Sequence, residues 1–243
     1  MKRFLLTSLS VLAVTSAGFT AQAQEFSDAQ KAEIKRMFDE FLANSGEQVL
    51  KSVNTYQAEL EAKDRAEASA KAKAFMEKIE GQNLPMAGNP DGDITLVEFF
   101  DYNCGYCRKA LEEIQTVLKE DDNVKVIFLD MPILGPSSME IAKWSMAAQK
   151  QDKYFEYHQA IFDHNGQKTP EVLEKIAKDV GLDVKKLKKD KDSDEIREKI
   201  EDQVKQAQNI GINGTPGFIV AGELYPGYIP AAEIKKIIAE KRG

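Results

Sequence analysis

The stretch FFDYNCGYCRKAL, residues 99–111, holds the only two cysteines of a 243-residue chain, Cys104 and Cys107, with two residues between them. The pair stands where an apolar run, ITLVEFF (94–100), gives way to helical spacing at Ala110, Leu111, Ile114 and Leu118. A near-continuous apolar run of this length is the pattern of a buried central strand. Residues 104–118 read as the helix that follows it. A thiolate at a helix N-terminus faces unpaired backbone N–H groups and the positive end of the helix dipole, which lowers its pKa. Cys104 is therefore expected to be the exposed nucleophile. Cys107, one turn further in, is placed to attack a mixed disulfide and release the partner. A disulfide closing so small a loop removes little chain entropy, so the pair reads as chemical and not as a staple. Zinc, the other common use of Cys-x-x-Cys, needs about four ligands. The two histidines, His158 and His164, lie six residues apart in a helical stretch near Tyr154, Phe155 and Phe162, and read as helix-surface or core residues.

Working outward, VKVIFLD (124–130) reads as a second strand, and a strand–helix–strand order implies a parallel pair with a crossover. Residues 137–209 are helical again, with an expected capping box at Ser137 and Glu140 and an N-cap followed by proline at Thr169-Pro170. GFIVAGELY (217–225) returns to strand around a turn at Gly222, and a closing helix runs from about Ala231. On the N-terminal side, GQNLPMAGNPDGD (81–93) reads as linker and turn. Residues 24–80 contain one glycine, Gly46, and no proline; Ser27 with Gln30 and Ser45 with Gln48 both fit a capping box, so two helices are expected there. Ile34, Met37, Phe38, Phe41 and Leu42 form an apolar stripe on the first, and Val49, Val53, Tyr56 and Leu60 form a packed seam on the second. The stretch EAKDRAEASAKAKA (61–74) then offers only alanine to bury. Such helices need a partner, either the main domain or another copy of the chain. The unit from Ile94 onward reads as complete without them, and self-association is the expectation.

The first residues set the compartment. Met1-Lys2-Arg3 is basic, residues 4–19 are mostly apolar, and Ala21-Gln22-Ala23 fits a signal-peptidase site, so 1–23 is expected to be a cleaved signal peptide. The alternative, an uncleaved anchor, is disfavoured by Thr7, Ser8, Ser10, Thr15 and Ser16 within the apolar run. Losing Lys2 and Arg3 takes the formal net charge from −7 to −9, and an acidic chain without a dense basic face argues against nucleic-acid binding. The one basic cluster, KKLKKDK (185–191), is interleaved with and followed by Asp190, Asp192, Asp194 and Glu195, as on a solvated helix surface. Exported chains commonly carry structural disulfides, yet no cysteine lies outside the pair.

TLVEFFDYNCGYCRKAL together with GINGTPGFIV resembles the DsbA-like thiol–disulfide oxidoreductases. The helical N-terminal segment, GNPDGDITLVEFFDYNCGYC and PILGPSS resemble, more closely, the suppressor-of-copper-sensitivity C (ScsC) type. The resemblance covers essentially the whole mature chain. It implies an α/β thioredoxin fold (94–243) with an inserted helical domain at about 137–209, preceded by a helical oligomerisation segment (24–80) and a linker (81–93). It implies that Pro216, after Thr215, is a cis-proline beside the cysteines, leaving the Thr215 backbone free to pair with an extended substrate; the alternative is a trans proline opening an edge strand. It makes Glu98 the family's buried acid, suited to shuttle the Cys107 proton if burial raises its pKa; the alternative is a solvated position. Tyr106 is expected to cover the sulfurs and meet substrate. Because Gly105-Tyr106 brings no positive charge to the thiolate, the site is expected to be less oxidising than relatives with His between the cysteines. The same four residues occur in periplasmic disulfide isomerases. The resemblance thus implies a periplasmic isomerase or reductase of cysteine-containing exported proteins, served by a membrane thiol reductase or oxidase, with a trimer favoured and no cofactor. A primary dithiol oxidase remains open, as does Cu(I) binding by two soft thiolates.

Overall fold

The computed structural model describes residues 25–243; the expected signal peptide lies outside them. Between Ala58 and Glu59 the chain divides into two compact units. The first contains α1 (Asp28–Asn44) and the start of α2 (Gly46–Ile79). Ser27 and Gln30 form the capping box reciprocally. At Ser45 the second helix opens on a backbone bond from Val49 N–H to the Ser45 carbonyl. No residue of α1 is buried, and Ile34, Phe38 and Phe41, like Val49, Val53 and Tyr56 of α2, are exposed.

The second unit is built on β1 (Met86–Gly88), β2 (Ile94–Phe100), β3 (Val124–Asp130), β4 (Gly217–Val220) and β5 (Glu223–Pro226), in the order β1-β3-β2-β4-β5. β2 and β3 run parallel, from Ile94 opposite Val124 to Phe100 opposite Asp130. Their crossover is α3 (Gly105–Glu120). The other three pairings are antiparallel. β4 turns into β5 through Ala221 and Gly222, both at positive φ (51° and 84°), the conformation that matches strand twist in a two-residue hairpin. Helices α4 (Pro136–Gln149), α5 (Tyr154–Asp163), α6 (Pro170–Asp179), α7 (Val184–Lys191) and α8 (Asp194–Asn209) form the insertion, and α9 (Ala231–Arg242) closes the chain. The architecture is thus a thioredoxin-like α/β fold with a helical insertion. Thr169 caps α6 and Pro170 takes its first position, as the sequence implies.

Three expectations are corrected. α4 starts at Pro136 with Gly135 at its N-cap, so Ser137 is inside the helix and Glu140 accepts from the Trp144 indole. The stretch read as linker carries β1, whose Met86 lies opposite Ile127 of β3. Most consequentially, the unit from Ile94 is not complete without α2. One sheet face, with Leu96, Phe100, Val126 and Phe128, packs under α3, α9 and the insertion. The other face, with Val97, Phe99, Ile127 and Leu129, is covered by Ala72, Phe75 and Ile79 of α2 together with Ala207, Ile210 and Ile212. A strand apolar on both sides needs cover on both, and the end of α2 supplies half of it.

Among the described residues no helix is long and apolar enough to cross a membrane.

Candidate active site

β2 ends at Phe100, and a three-residue loop (101–103) carries the chain to Cys104, which stands at the N-cap of α3 without making a side-chain cap bond. This loop is fastened on several sides. The Asp101 carboxylate accepts from Asn103 N–H (2.8 Å) and from Leu134 N–H (2.9 Å). Asn103 Nδ2 donates to Ser137 and Ser138 at the start of α4. The buried Tyr102 hydroxyl bonds Ser145 of α4 (2.5 Å) and Nδ1 of His158 in α5 (2.8 Å). Arg108 donates to Asn165 Oδ1 (2.6 Å) and to the His164 carbonyl (2.9 Å). His158 is therefore a core residue; burial among rings holds its pKa down to about 3, so it is neutral.

The two thiols are reduced, Cys104 half-buried and Cys107 buried. A hydrogen bond from Cys107, joined by the backbone N–H groups of Tyr106 and Cys107, holds the Cys104 pKa down to about 5 against the opposing effect of burial. Burial pushes the Cys107 thiol far up, and its bond to Cys104 adds to the rise. The arrangement can keep one sulfur ionised and the other protonated at neutral pH.

Glu98, in the middle of β2, is fully buried, which settles the solvated alternative against it. Neither carboxyl oxygen has a hydrogen-bond partner. Burial first, then the Cys104 charge, raises its pKa well above the carboxylate range. Across the site the Cys104 sulfur lies 3.3 Å from the Thr215 carbonyl oxygen, to which it donates when protonated, and the Thr215–Pro216 bond is cis. Glu98, Cys104, Cys107, Thr215 and Pro216 thus come together. The Tyr106 ring, next in the chain to Cys107, turns largely to solvent, 61% exposed and with its centroid 6.1 Å from that of Tyr228. Ile133 and Leu134, beyond β3, are also exposed.

Sequence reasoning missed Tyr102, Asn103 and Arg108 as fasteners and Tyr228 as a neighbour of Tyr106. The first three lie in or beside the cysteine stretch, but their partners are 34 to 57 residues away. Among the described residues no three His, Cys, Asp or Glu side chains converge as metal ligands.

The thioredoxin family model (Thioredoxin_4) matches residues 80–240, through both cysteines and the Thr215–Pro216 turn. The chain belongs to the thioredoxin family, in its DsbA-like branch. It is 30% identical over 153 residues to a Bacillus cereus protein named "Probable disulfide bond formation protein D", covering 56% of this chain and 69% of that one. A thioredoxin-like oxidoreductase from Silicibacter pomeroyi superposes with a TM-score of 0.64 at 38% identity, covering 68% of this chain and 95% of that structure. A linker-deleted Proteus mirabilis ScsC superposes with a TM-score of 0.68 at 20% identity, covering 91% and 99%, a likeness of fold. This family member also matches Na(+)/H(+) antiporters NhaA 1, at 26% identity for that of Mycobacterium sp. (strain KMS), but spans 28% of that relative's length.

Proposed function

We propose that the chain is a periplasmic thiol–disulfide oxidoreductase that isomerises or reduces wrong disulfides in exported proteins. The observation that supports this best is Cys104 at the start of α3, held beside Cys107 and 3.3 Å from the Thr215 carbonyl. The Cys104 thiolate attacks a client disulfide; one client sulfur leaves with its electron pair and takes a proton, and the other stays bonded to Cys104. Cys107 gives up its proton and attacks Cys104, which releases the second client sulfur and leaves a Cys104–Cys107 disulfide. If a different thiol of the client gives up its proton and attacks the client sulfur bonded to Cys104 instead, a new client disulfide forms, Cys104 leaves as the thiolate, and the enzyme returns unchanged with the disulfide rearranged. The Thr215 carbonyl, next to the nucleophile, accepts from an extended client backbone. Glu98, protonated and next to the sulfurs, exchanges the proton that Cys107 must lose and regain.

A Cys104 pKa of about 5 lies between the roughly 3.5 of a strong disulfide oxidant and the roughly 7 of thioredoxin. A lower thiolate pKa stabilises the reduced dithiol and makes the disulfide more oxidising, so an intermediate value suits an isomerase. The residues implied for catalysis are Cys104, Cys107 and Glu98, and for client contact Thr215, Pro216 and Tyr106. A membrane thiol reductase is the redox partner in this reading.

The exposed stripes on α1 and the first part of α2 support self-association, because apolar patches of this kind mark interaction surfaces; the trimer rests on the resemblance to the ScsC type. Several Cys104 sites around a shared space let one copy hold a client while another attacks. The reading is tested by the reduction potential against glutathione and by reactivation of a scrambled disulfide protein, with full-length chain and with a form lacking residues 24–58. A potential near that of a disulfide isomerase, about −180 mV, with reactivation by the full-length form, supports it. A potential near −120 mV without reactivation favours the primary oxidase.

A further inference from the structure

Tyr106, Lys109 and Glu113 follow one another at spacings of three and four along α3, so they share one face of the helix. Tyr228 lies along that face. Its ring centroid is 6.1 Å from that of Tyr106, and its hydroxyl donates to Glu113 Oε1 at 2.5 Å. The other Glu113 oxygen accepts from Ala231 N–H (2.8 Å), the first residue of α9. One carboxylate thus satisfies an orphan donor at a helix N-terminus, where negative charge is favoured, and pins Tyr228 to the helix that begins at Cys104. Gly227, at φ 101°, makes the turn after β5 that presents Tyr228, a conformation that a side-chain-bearing residue adopts at a cost. Lys109 Nζ stands 5.3 Å from the Tyr106 ring centre and steadies it. Two rings are thus held along the first turns of the helix that begins at Cys104, one of them largely in solvent.

We propose that Tyr106 and Tyr228 form an aromatic lip that takes an aromatic or aliphatic side chain next to the client's reactive cysteine. This rests on the oxidoreductase reading and deepens it. The register follows from reach: each residue of an extended client adds about 3.3 Å, and Tyr106 is two residues from Cys104. The side chain that meets the lip is therefore one or two positions from the cysteine. Aromatic faces tilted to one another leave an edge for a third apolar group, which they hold better than a hydroxyl-bearing one. Glu113 is a positioning residue, acting through Tyr228.

The test uses the full-length reduced protein and two disulfide-bonded peptides that differ only by Phe or Ser beside the attacked cysteine. Second-order rate constants are measured at pH 7 and each is divided by the rate of the same peptide with dithiothreitol. The full-length protein should favour the Phe peptide by about five- to tenfold. Tyr228→Ser should bring the ratio close to one. Tyr228→Phe, which keeps the ring but loses the bond to Glu113, should fall between. Equal rates for the two peptides with the unaltered protein, or an undiminished preference in Tyr228→Ser, overturns the inference while leaving the oxidoreductase reading in place. Absence of exchange with either peptide overturns that reading, and the lip with it.

Discussion

The ring of Phe75, near the end of α2, lies 5.6 Å from that of Phe99 in β2, centroid to centroid. Phe75 is 5% exposed and Phe99 is fully buried. A helix expected to serve assembly therefore also closes the core on the sheet face opposite α3. Phe75→Ala should cost about 3–5 kcal/mol, measured by urea unfolding. Removal of residues 24–58 should leave a folded, cooperative unit, and removal of 24–80 should not. Equal stability of the two truncated forms would defeat this account.

Thiolate absorbance of Cys104 should titrate with a midpoint of about 5. The sign is that of a lowered acid: the nucleophile is ionised above this pH, so the rate of attack falls about tenfold per pH unit below it. Alkylation at mildly acidic pH should modify Cys104 first. Cys104→Ser should abolish exchange, whereas Cys107→Ser should accumulate mixed disulfides on Cys104, visible by mass spectrometry. Preferential labelling of Cys107 would reverse the two roles.

Glu98→Gln keeps the shape of the buried side chain but cannot supply or take up a proton. Resolution of mixed disulfides by Cys107 should slow by about tenfold or more, read by quenched-flow. Stability should move the other way. Because the folded-state pKa is raised, the native protein holds its proton longer than the unfolded chain, so stability falls as pH rises from about 4.3. The fall levels off once the folded-state pKa is passed. The Gln variant should lack this decline, and an identical pH profile in both proteins would remove Glu98 from the proton account.

Tyr102→Phe removes the one hydroxyl that joins the cysteine loop to both α4 and α5, and leaves His158 Nδ1 and Ser145 Oγ without that partner. Leaving buried groups unpaired should cost about 1–3 kcal/mol, by thermal or urea unfolding. Replacement without measurable loss would show that the loop is held by Asp101 and Asn103 alone.

The cysteine pair was legible because its meaning is local. A buried strand pattern at 94–100 and helical spacing from Ala110 put Cys104 at a junction, and the junction stands where it was read. Glu98 was legible as the one charge in an apolar run; its burial took the structure to establish. Tyr228 was hidden because its contact with Glu113 spans 115 positions, and no periodicity links them. Ala72, Phe75 and Ile79 were on the page at helical spacing, but the alanine-rich stretch ahead of them drew the boundary too late. What they cover is a face of β2 that periodicity shows to be apolar without saying which segment lies against it.

Cys104 occupies the position that serine, threonine or aspartate usually takes to close the first turn of a helix. It makes no such side-chain bond, but as a thiolate its sulfur faces the N–H groups of the first turn, those of Tyr106 and Cys107, which help to hold its pKa down. Bonded to Cys107 or to a client, it loses that charge, and the positive end of α3 loses the anion that faces it. In the reduced form the helix start therefore faces a negative charge, and in the disulfide form it faces none. The tendency to hand a disulfide on to a client thiol is thus written into a single helical turn, by whether its N–H groups have a charge in front of them.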